Sequence, residues 1–330
     1  MSSKVKWLLI GTGIIAGKRV APALVNTKDS ELVGVCDIVE ENAKKVAQDY
    51  NINEVFSDIE QAISQTKADA VYIATPVHLH VPTAIKALKS NKHVLVEKPL
   101  GLNTDDAQKL IEVSEKHKHL KVSCAYYRRF YPAFEQARQM IMSGEFGSIN
   151  LVRMHFFSWG GFPADNWRVV KAQSGGGPLS DMGSHMFDVL IGLLGLPKNI
   201  FAKVQTKTHA YEAEDSATIL MRMPDHADVT ASFHWNSKTW AHEFEIVGTE
   251  AKVKWDPYDG GKVVKTVGRD IETLELPNAD NVHQPLIEDF VKAIQDAKSP
   301  MITLGEALKT NILLDAIYKS SSTGKEITLT

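Results

Sequence analysis

Two stretches of the chain carry side chains whose types and spacing could do chemistry. In the first, Gly175-Gly176-Gly177-Pro178 leads into LSDMGSHMFDVLIGLLG. Pro178 suits a first helical turn and Gly195 a helix end, so a helix is expected between them. On it Asp181, His185 and Asp188 stand at i, i+4 and i+7 and share a face, while Met182, Met186, Val189 and Leu193 occupy another. An imidazole titrates near neutrality, at about 6.5 when unperturbed, so it can take a proton and return it. A carboxylate nearby can hold a substrate or polarise the pair. Each residue also has a plain structural use: Asp181 as an acidic group favouring a helix N-terminus, His185 as a hydrogen-bonded core residue. Asp and His at i and i+4 could chelate, but a matching third ligand is not evident and no metal is expected.

The second stretch is Gly11-Thr12-Gly13-Ile14-Ile15-Ala16, which follows a β-branched run and opens a helical one. Glycines there allow a tight turn and let backbone N–H groups reach a pyrophosphate at the helix N-terminus. Glycines after a strand are often only turn formers, but Asp37 ends the next strand at the distance where a carboxylate accepts both ribose hydroxyls. Ile38 and Val39 follow it, with no Arg or Lys to hold a 2′-phosphate, so NAD is favoured over NADP. Two more strand ends carry polar residues: Ala74-Thr75-Pro76-Val77-His78-Leu79-His80 and Glu97-Lys98-Pro99. Adjacent Glu97 and Lys98 could be a solvated surface pair, but a lysine at the tip of such a strand faces the edge where ligands bind.

These residues need elements to position them. Strands are expected at Val5 to Ile10, Leu32 to Cys36, Ala70 to Ala74, His93 to Val96 and Lys121 to Ala125. Helices should lie between them at Ile14 to Val25, Val39 to Tyr50, Ile59 to Ser64, Val81 to Lys89 and Thr104 to Lys118. That alternation is a doubly wound α/β sheet. From Gly147 the pattern changes to period-two strands: Ile149 to Ser158, Phe201 to Thr208, Ala217 to Met223, Val229 to Trp235, Glu243 to Val247 and Lys262 to Val267. This half should be mainly antiparallel. Helices from Pro285 to Ala297 and from Thr303 to about Ser320 close the chain, the latter opened by a Thr303-x-x-Glu306 capping box. With 330 residues, two domains are expected, 1–125 and 126–330.

Composition narrows the function. Lys and Arg number 37 against 40 Asp and Glu, which leaves no basic field for a run of phosphates, so nucleic acid is not an expected partner. No run approaches a membrane helix; Lys4, Lys6 and WLLIGTGIIAG imitate a short signal peptide, but the nucleotide reading needs these residues kept. Cys36 and Cys124 lack any Cys-x-x-Cys spacing, which excludes a disulfide framework and suits a reducing, cytoplasmic compartment.

Taken together, GTGIIA, Asp37, ATPVHLH, VLVEKPLG, the YYRRFYP segment at Tyr126 to Pro132 and GGGPLSDMGSHMFD resemble the Gfo/Idh/MocA oxidoreductase family over nearly the whole chain. The resemblance implies an N-terminal Rossmann domain and a C-terminal α+β domain with a large, mostly antiparallel, open-faced sheet whose open face pairs subunits into a homodimer or homotetramer. It implies Lys98, Asp181 and His185 as the catalytic trio. It assigns the cofactor to Gly11, Thr12, Gly13, Ile14, Ile15, Asp37, Thr75, Pro76, His80, Glu97 and Lys98, with a cis Lys98–Pro99 bond. Val77 departs from the family's usual Asn. Asn166-Trp167-Arg168 is similar to a branch that often uses NADP, whereas Asp37 points to NAD. Arg128, Arg129, Trp167 and Arg168 are then candidate contacts for a sugar, cyclitol or keto-sugar. Two other readings are an NAD-dependent glycosidase with transient redox and a non-catalytic NAD-sensing regulator; retention of the whole trio argues against the regulator.

Overall fold

A computed structural model of the chain describes residues 4–329. They fall into two compact units, one holding the residues up to Tyr127 with Ala279–Leu308, the other Arg128–Asn278 with the residues from Lys309 on.

The first unit opens with β1 (Val5–Ile10), in which Trp7, Leu8, Leu9 and Ile10 are essentially inaccessible. α1 (Ala21–Asn26), β2 (Ser30–Cys36), α2 (Glu40–Tyr50), β3 (Glu54–Phe56), α3 (Ile59–Gln65), β4 (Ala70–Ile73), α4 (His80–Lys89), β5 (His93–Val96), α5 (Thr104–Ser114) and β6 (Val122–Cys124) follow. The strands form one sheet in the order β3-β2-β1-β4-β5-β6, every pairing parallel. Near-continuous apolar strands belong in such a sheet because helices cover both faces. The order reverses between β1 and β4, so the tips of β1, β2, β4 and β5 share the carboxyl edge at which such sheets bind ligands.

The helix expected from Ile14 to Val25 is interrupted. Ala16–Val20 is a π-helical turn, closed by Ala21 N–H donating to Ala16 O. Pro22, just beyond it, has no N–H to continue an α-helical ladder, and the wider turn accommodates that loss.

The second unit contains α6 (Pro132–Met142), β7 (Ile149–Trp159), α7 (Lys171–Ser174), α8 (Ser184–Leu194), β8 (Asn199–Gln205), β9 (Ser216–Arg222), β10 (Asp228–His234), β11 (Asn236–Gly248), β12 (Ala251–Trp255), β13 (Lys262–Val267) and β14 (Asp270–Glu275). Then come α9 (Gln284–Gln295), α10 (Leu304–Thr323), whose first residues belong to the first unit, and β15 (Ile327–Thr328). The second sheet runs β14-β13-β12-β11-β7-β10-β9-β8-β15 and is antiparallel except for the β7–β10 pair. Along β10, Val229, Ala231 and Phe233 are buried while Thr230, Ser232 and His234 are half-exposed, the period-two alternation of a sheet with one face on the core. β12, β14 and β15 carry no strand signal strong enough to read in the sequence.

Division at residue 125 assigns Ala279–Leu308 to the second domain, but it packs in the first unit. Its apolar face explains why: Phe290 of α9 lies against Trp7 of β1, ring centroids 5.6 Å apart, and Ser123 Oγ donates to Ile302 O at 2.7 Å.

Candidate functional site

In the first unit, Gly11 continues β1 by donating its N–H to Cys36 O at 2.8 Å, then turns with φ +87°. A Cβ there would stand 2.6 Å from the Ala74 carbonyl carbon, so both the backbone angle and the close approach of the β4 tip require glycine. Thr12 N–H and Oγ1 donate to Asp37 Oδ2 at 2.7 and 3.1 Å, and Val39 N–H donates to Oδ1 at 2.9 Å. The turn and the carboxylate at the tip of β2 are thus one hydrogen-bonded piece. Each carboxylate oxygen accepts more than one hydrogen bond, so Asp37 keeps capacity for a pair of ribose hydroxyls.

Residues Gly13, Ile14 and Ile15 present the N–H groups of a first helical turn, which have no acceptor further back in the helix. Nothing stands within 4 Å of a Cβ built on Gly13, and Ile14 and Ile38 are 76% and 78% exposed. Open space over helix N-terminal donors, flanked by uncovered apolar side chains and a carboxylate, fits a dinucleotide's pyrophosphate and adenosine.

The β4 and β5 tips are fastened to each other. His80 is 1% exposed, and its ring nitrogens lie 2.9 Å from Pro99 O (Nδ1) and 2.9 Å from Thr75 O (Nε2). Burial pulls its pKa down, opposed by the two carbonyl contacts and Glu97 and reinforced by Lys98, and leaves it below the ordinary value. A neutral His80 has one N–H to donate, so it bonds one of the two carbonyls and packs against the other. Lys98 and Glu97 are half-buried, and the Lys98–Pro99 peptide is cis. Glu97 Oε1 accepts from Tyr72 Oη–H at 2.8 Å. Burial would raise the Glu97 carboxyl, but His283, Lys98 and Tyr72 together hold it below its usual range.

In the second unit the triple glycine has a packing explanation. A Cβ on Gly176 would strike the Tyr318 hydroxyl and one on Gly177 the carbonyl oxygen of Glu214. Glu214, 5% exposed, accepts on Oε1 from Leu179 N–H at 3.2 Å and from Tyr318 Oη–H at 3.0 Å, so a buried carboxyl caps the helix start. Burial pushes that carboxyl up, against the hydrogen bonds it receives.

The helix itself begins as a π-helical turn, Leu179–Gly183, before α8, with Ser184 N–H donating to Leu179 O. Asp181 lies within this turn and is half-exposed, while His185 is 4% exposed on the first turn of α8. π-turns inside helices recur at functional sites. The polar stripe expected from an unbroken α-helix is not a single presented surface, because Asp188 is 1% exposed and engaged by Arg129.

Arg128 and Arg129 are each paired with a carboxylate. Arg128, 3% exposed, donates from Nε and Nη2 to Asp259 at 2.8 and 2.9 Å, and its guanidinium lies 5.5 Å from the Tyr258 ring centre. Arg129 donates from Nε to Asp188 Oδ2 at 3.0 Å. Each guanidinium is paired with a carboxylate of its own unit. Adjacency to a site motif does not disclose that Asp188 and Asp259, distant in sequence, claim these cations. Trp167 and Arg168 stay half-exposed, the guanidinium 4.5 Å over the indole. Among the described residues there is no group of three or more His, Cys, Asp or Glu placed to hold a metal ion, and no helix long and apolar enough to cross a membrane.

Comparison with known proteins agrees with both halves of this description. Residues 5–126 match the model of an oxidoreductase family with an NAD-binding Rossmann fold, and residues 134–254 match the GFO/IDH/MocA C-terminal domain. The chain is 30% identical over 265 residues to the rhizopine catabolism protein MocA of Rhizobium meliloti, covering 77% of this chain and 76% of that one. It is 25% identical to the D-glucoside 3-dehydrogenase of Escherichia coli, over 99% of this chain and 98% of that one. The solved structure of an aldose-aldose oxidoreductase from Caulobacter crescentus has the same fold, with a TM-score of 0.90 at 24% identity over 99% of this chain and 100% of that one. The chain therefore belongs to the GFO/IDH/MocA family of oxidoreductases, with a nicotinamide-binding Rossmann unit and a second, mostly antiparallel sheet.

Proposed function

We propose that the protein is an NAD-dependent dehydrogenase or reductase of a sugar, cyclitol or keto-sugar, with His185 as acid and base assisted by Lys98 and Asp181. That it is an oxidoreductase acting on CH–OH groups follows from its family. The sugar-like substrate is carried over from the D-glucoside and rhizopine relatives. The observation that carries the cofactor half is the Gly11 turn bonded through Thr12 to Asp37, beside the order reversal of a parallel sheet.

When bound, the nicotinamide accepts or supplies the hydride. Gly13, Ile14 and Ile15 hold the pyrophosphate through their N–H groups and Asp37 takes the ribose hydroxyls. Thr75, Pro76, Glu97 and Lys98 serve the nicotinamide end, with His80 keeping the two tips in register. His185 takes the hydroxyl proton as the carbonyl forms and returns it in reduction. Lys98 Nζ, as a fixed cation, stabilises the negative charge growing on that oxygen, while Asp181 orients the substrate. Trp167 and Arg168 add substrate contacts. Arg128 and Arg129 are given no substrate contact in this reading because each is already paired with a carboxylate, Arg129 with buried Asp188 and Arg128 with exposed Asp259.

A homodimer or homotetramer belongs to the same reading. Phe201 and Leu220 are paired across β8 and β9 and are 37% and 56% exposed, on the face of the second sheet that turns Thr218 and Arg222 outward. Light scattering that returns the mass of a single chain would remove this part. The two cysteines, both buried and not joined in a disulfide, suit a reducing, cytoplasmic setting.

The test is a screen of NAD reduction across inositols, aldoses and sugar acids, repeated in reverse with keto-sugars and NADH. Turnover with one of these classes supports the reading. Release of an aglycone without net NADH would reassign the protein to hydrolysis through transient oxidation, and cofactor binding without turnover on any of them would favour a sensor.

A further inference from the structure

His283 lies far along the chain from the cofactor edge, in the segment that packs in the first unit, immediately before α9. Its ring is 2% exposed, and its Nε2 stands 3.4 Å from Glu97 Oε1. The contact is an ion pair only when the ring is protonated, and it is longer than a well-formed hydrogen bond. The other side of the ring packs on Tyr127, with centroids 4.4 Å apart and planes inclined at 33°. Asn281 fixes the approach: its Oδ1 accepts from His283 N–H at 3.0 Å, and its Nδ2 donates to Arg19 O at 2.7 Å. The segment is thereby tied to the π-turn that follows the glycine turn, as well as to the β5 tip.

The two oxygens of Glu97 are held unequally. Oε1 takes the Tyr72 hydroxyl at 2.8 Å and faces His283 Nε2, while Oε2 receives one long contact, from Lys98 N–H at 3.3 Å. The side chain is 15% exposed, so the carboxylate has lost most of its water and depends on these donors. A carboxylate tied through one oxygen presents the other in a fixed direction. A purely space-filling His283 would keep its contact with Tyr127 and have no influence through Glu97.

We propose that His283 is a positioning residue of the cofactor edge: with Tyr72 it fixes Glu97 through Oε1, leaving Oε2 as the oxygen offered to the nicotinamide ribose. The proposal rests on the reading that the Glu97-Lys98-Pro99 tip serves the cofactor. It gives the return of the chain to the first unit a function besides packing.

The experiment is a fluorescence titration of NADH into the full-length protein as wild type, His283→Phe, His283→Gln, Glu97→Gln and the double variant Glu97→Gln/His283→Phe. Phe keeps a ring on Tyr127 but cannot donate, whereas Gln keeps an N–H at similar reach. His283→Phe is expected to weaken NADH binding about 10-fold, and His283→Gln to stay within about 3-fold of wild type. In the Glu97→Gln background His283→Phe should add less than about 2-fold, because the residue it acts through is already altered. If His283→Phe does not fold, His283→Leu takes its place in the same cycle. Wild-type affinity in His283→Phe, no recovery with Gln, or an undiminished effect in the Glu97→Gln background would each overturn the role of His283. Wild-type protein that does not bind NADH would overturn the cofactor reading itself.

Discussion

Arg129 and Asp188 form a buried two-point ion pair: Nε donates to Oδ2 at 3.0 Å, Nη2 lies 2.8 Å from Oδ1, and the side chains are 7% and 1% exposed. Gly192, one turn beyond Asp188 on α8, makes the room, since a Cβ there would stand 2.9 Å from Arg129 Nε. The pair fastens the start of the second unit to the helix that carries His185. Breaking a buried pair by removing one partner typically costs about 3–5 kcal/mol. Asp188→Ala should therefore lower the urea midpoint by the equivalent of about 3 kcal/mol or more. A variant of near-native stability would mean that the pair is solvated and Arg129 is available to a ligand after all.

A prediction about cofactor choice rests on Asp37. Its carboxylate is held by Thr12 and Val39 at the tip of β2, and a 2′-phosphate placed against it would bring like charges together. NADH should bind at least about 10-fold more tightly than NADPH, roughly 1.4 kcal/mol. Asp37→Ser should narrow that gap chiefly by improving NADPH. Equal binding of the two cofactors by the wild type is the outcome that sinks the argument.

The parts of the molecule legible in the sequence are those whose signals are local. β1 and the Gly11 turn were readable because an apolar run, a glycine and a helix start follow one another directly, and Asp37 because the spacing from that turn is set by one strand-helix-strand unit. β3 is three residues long and β15 two, too short for any periodicity, and β14 is an edge strand whose residues are nearly all exposed. The π-turns at Ala16–Val20 and Leu179–Gly183 lie where a pattern of 3.6 residues per turn is assumed rather than tested. The ion pairs of Arg128 and Arg129 and the place of His283 are not legible for another reason: Asp259, Asp188 and Glu97 are partners that only the folded chain brings to them.

Acid should weaken the fold through histidines that are buried neutral. His93 Nδ1 accepts the Lys121 N–H at 2.8 Å, so that nitrogen carries a lone pair in the fold, and burial brings its pKa to about 4. His242, 4% exposed, is also brought to about 4 by burial, with Asp259 opposing and Arg128 reinforcing. Both folded values lie below the unfolded value of about 6.5. Their stabilisation is therefore fully present above that pH and drains away as pH falls toward about 4, because the unfolded chain then binds protons that the folded one refuses. The share of His242 is up to about 3 kcal/mol, and that of half-buried His93 is smaller because solvent screens it. Urea unfolding at several pH values between 7 and 4 should show a shallower decline in His242→Gln than in wild type. Parallel declines would show that His242 is not buried neutral.

Catalysis gives the most direct test of the residues named. Lys98→Ala and His185→Ala should each lower turnover on the true substrate by about 100-fold or more, the usual scale for losing an acid–base or charge-stabilising group. Binding should separate them. Lys98 is part of the first unit and adjoins Glu97 at the β5 tip, so its loss is expected to weaken NADH as well as chemistry. His185 is part of the second unit, on α8, and His185→Ala should leave NADH affinity within about 3-fold. If His185 accepts the hydroxyl proton, the rate of oxidation must fall on the acid side, since a protonated imidazole has no lone pair to offer. That acid limb should disappear from the residual activity of His185→Ala. A variant that keeps both near-native turnover and the same acid limb would place the base elsewhere, with Lys98 the next group to examine.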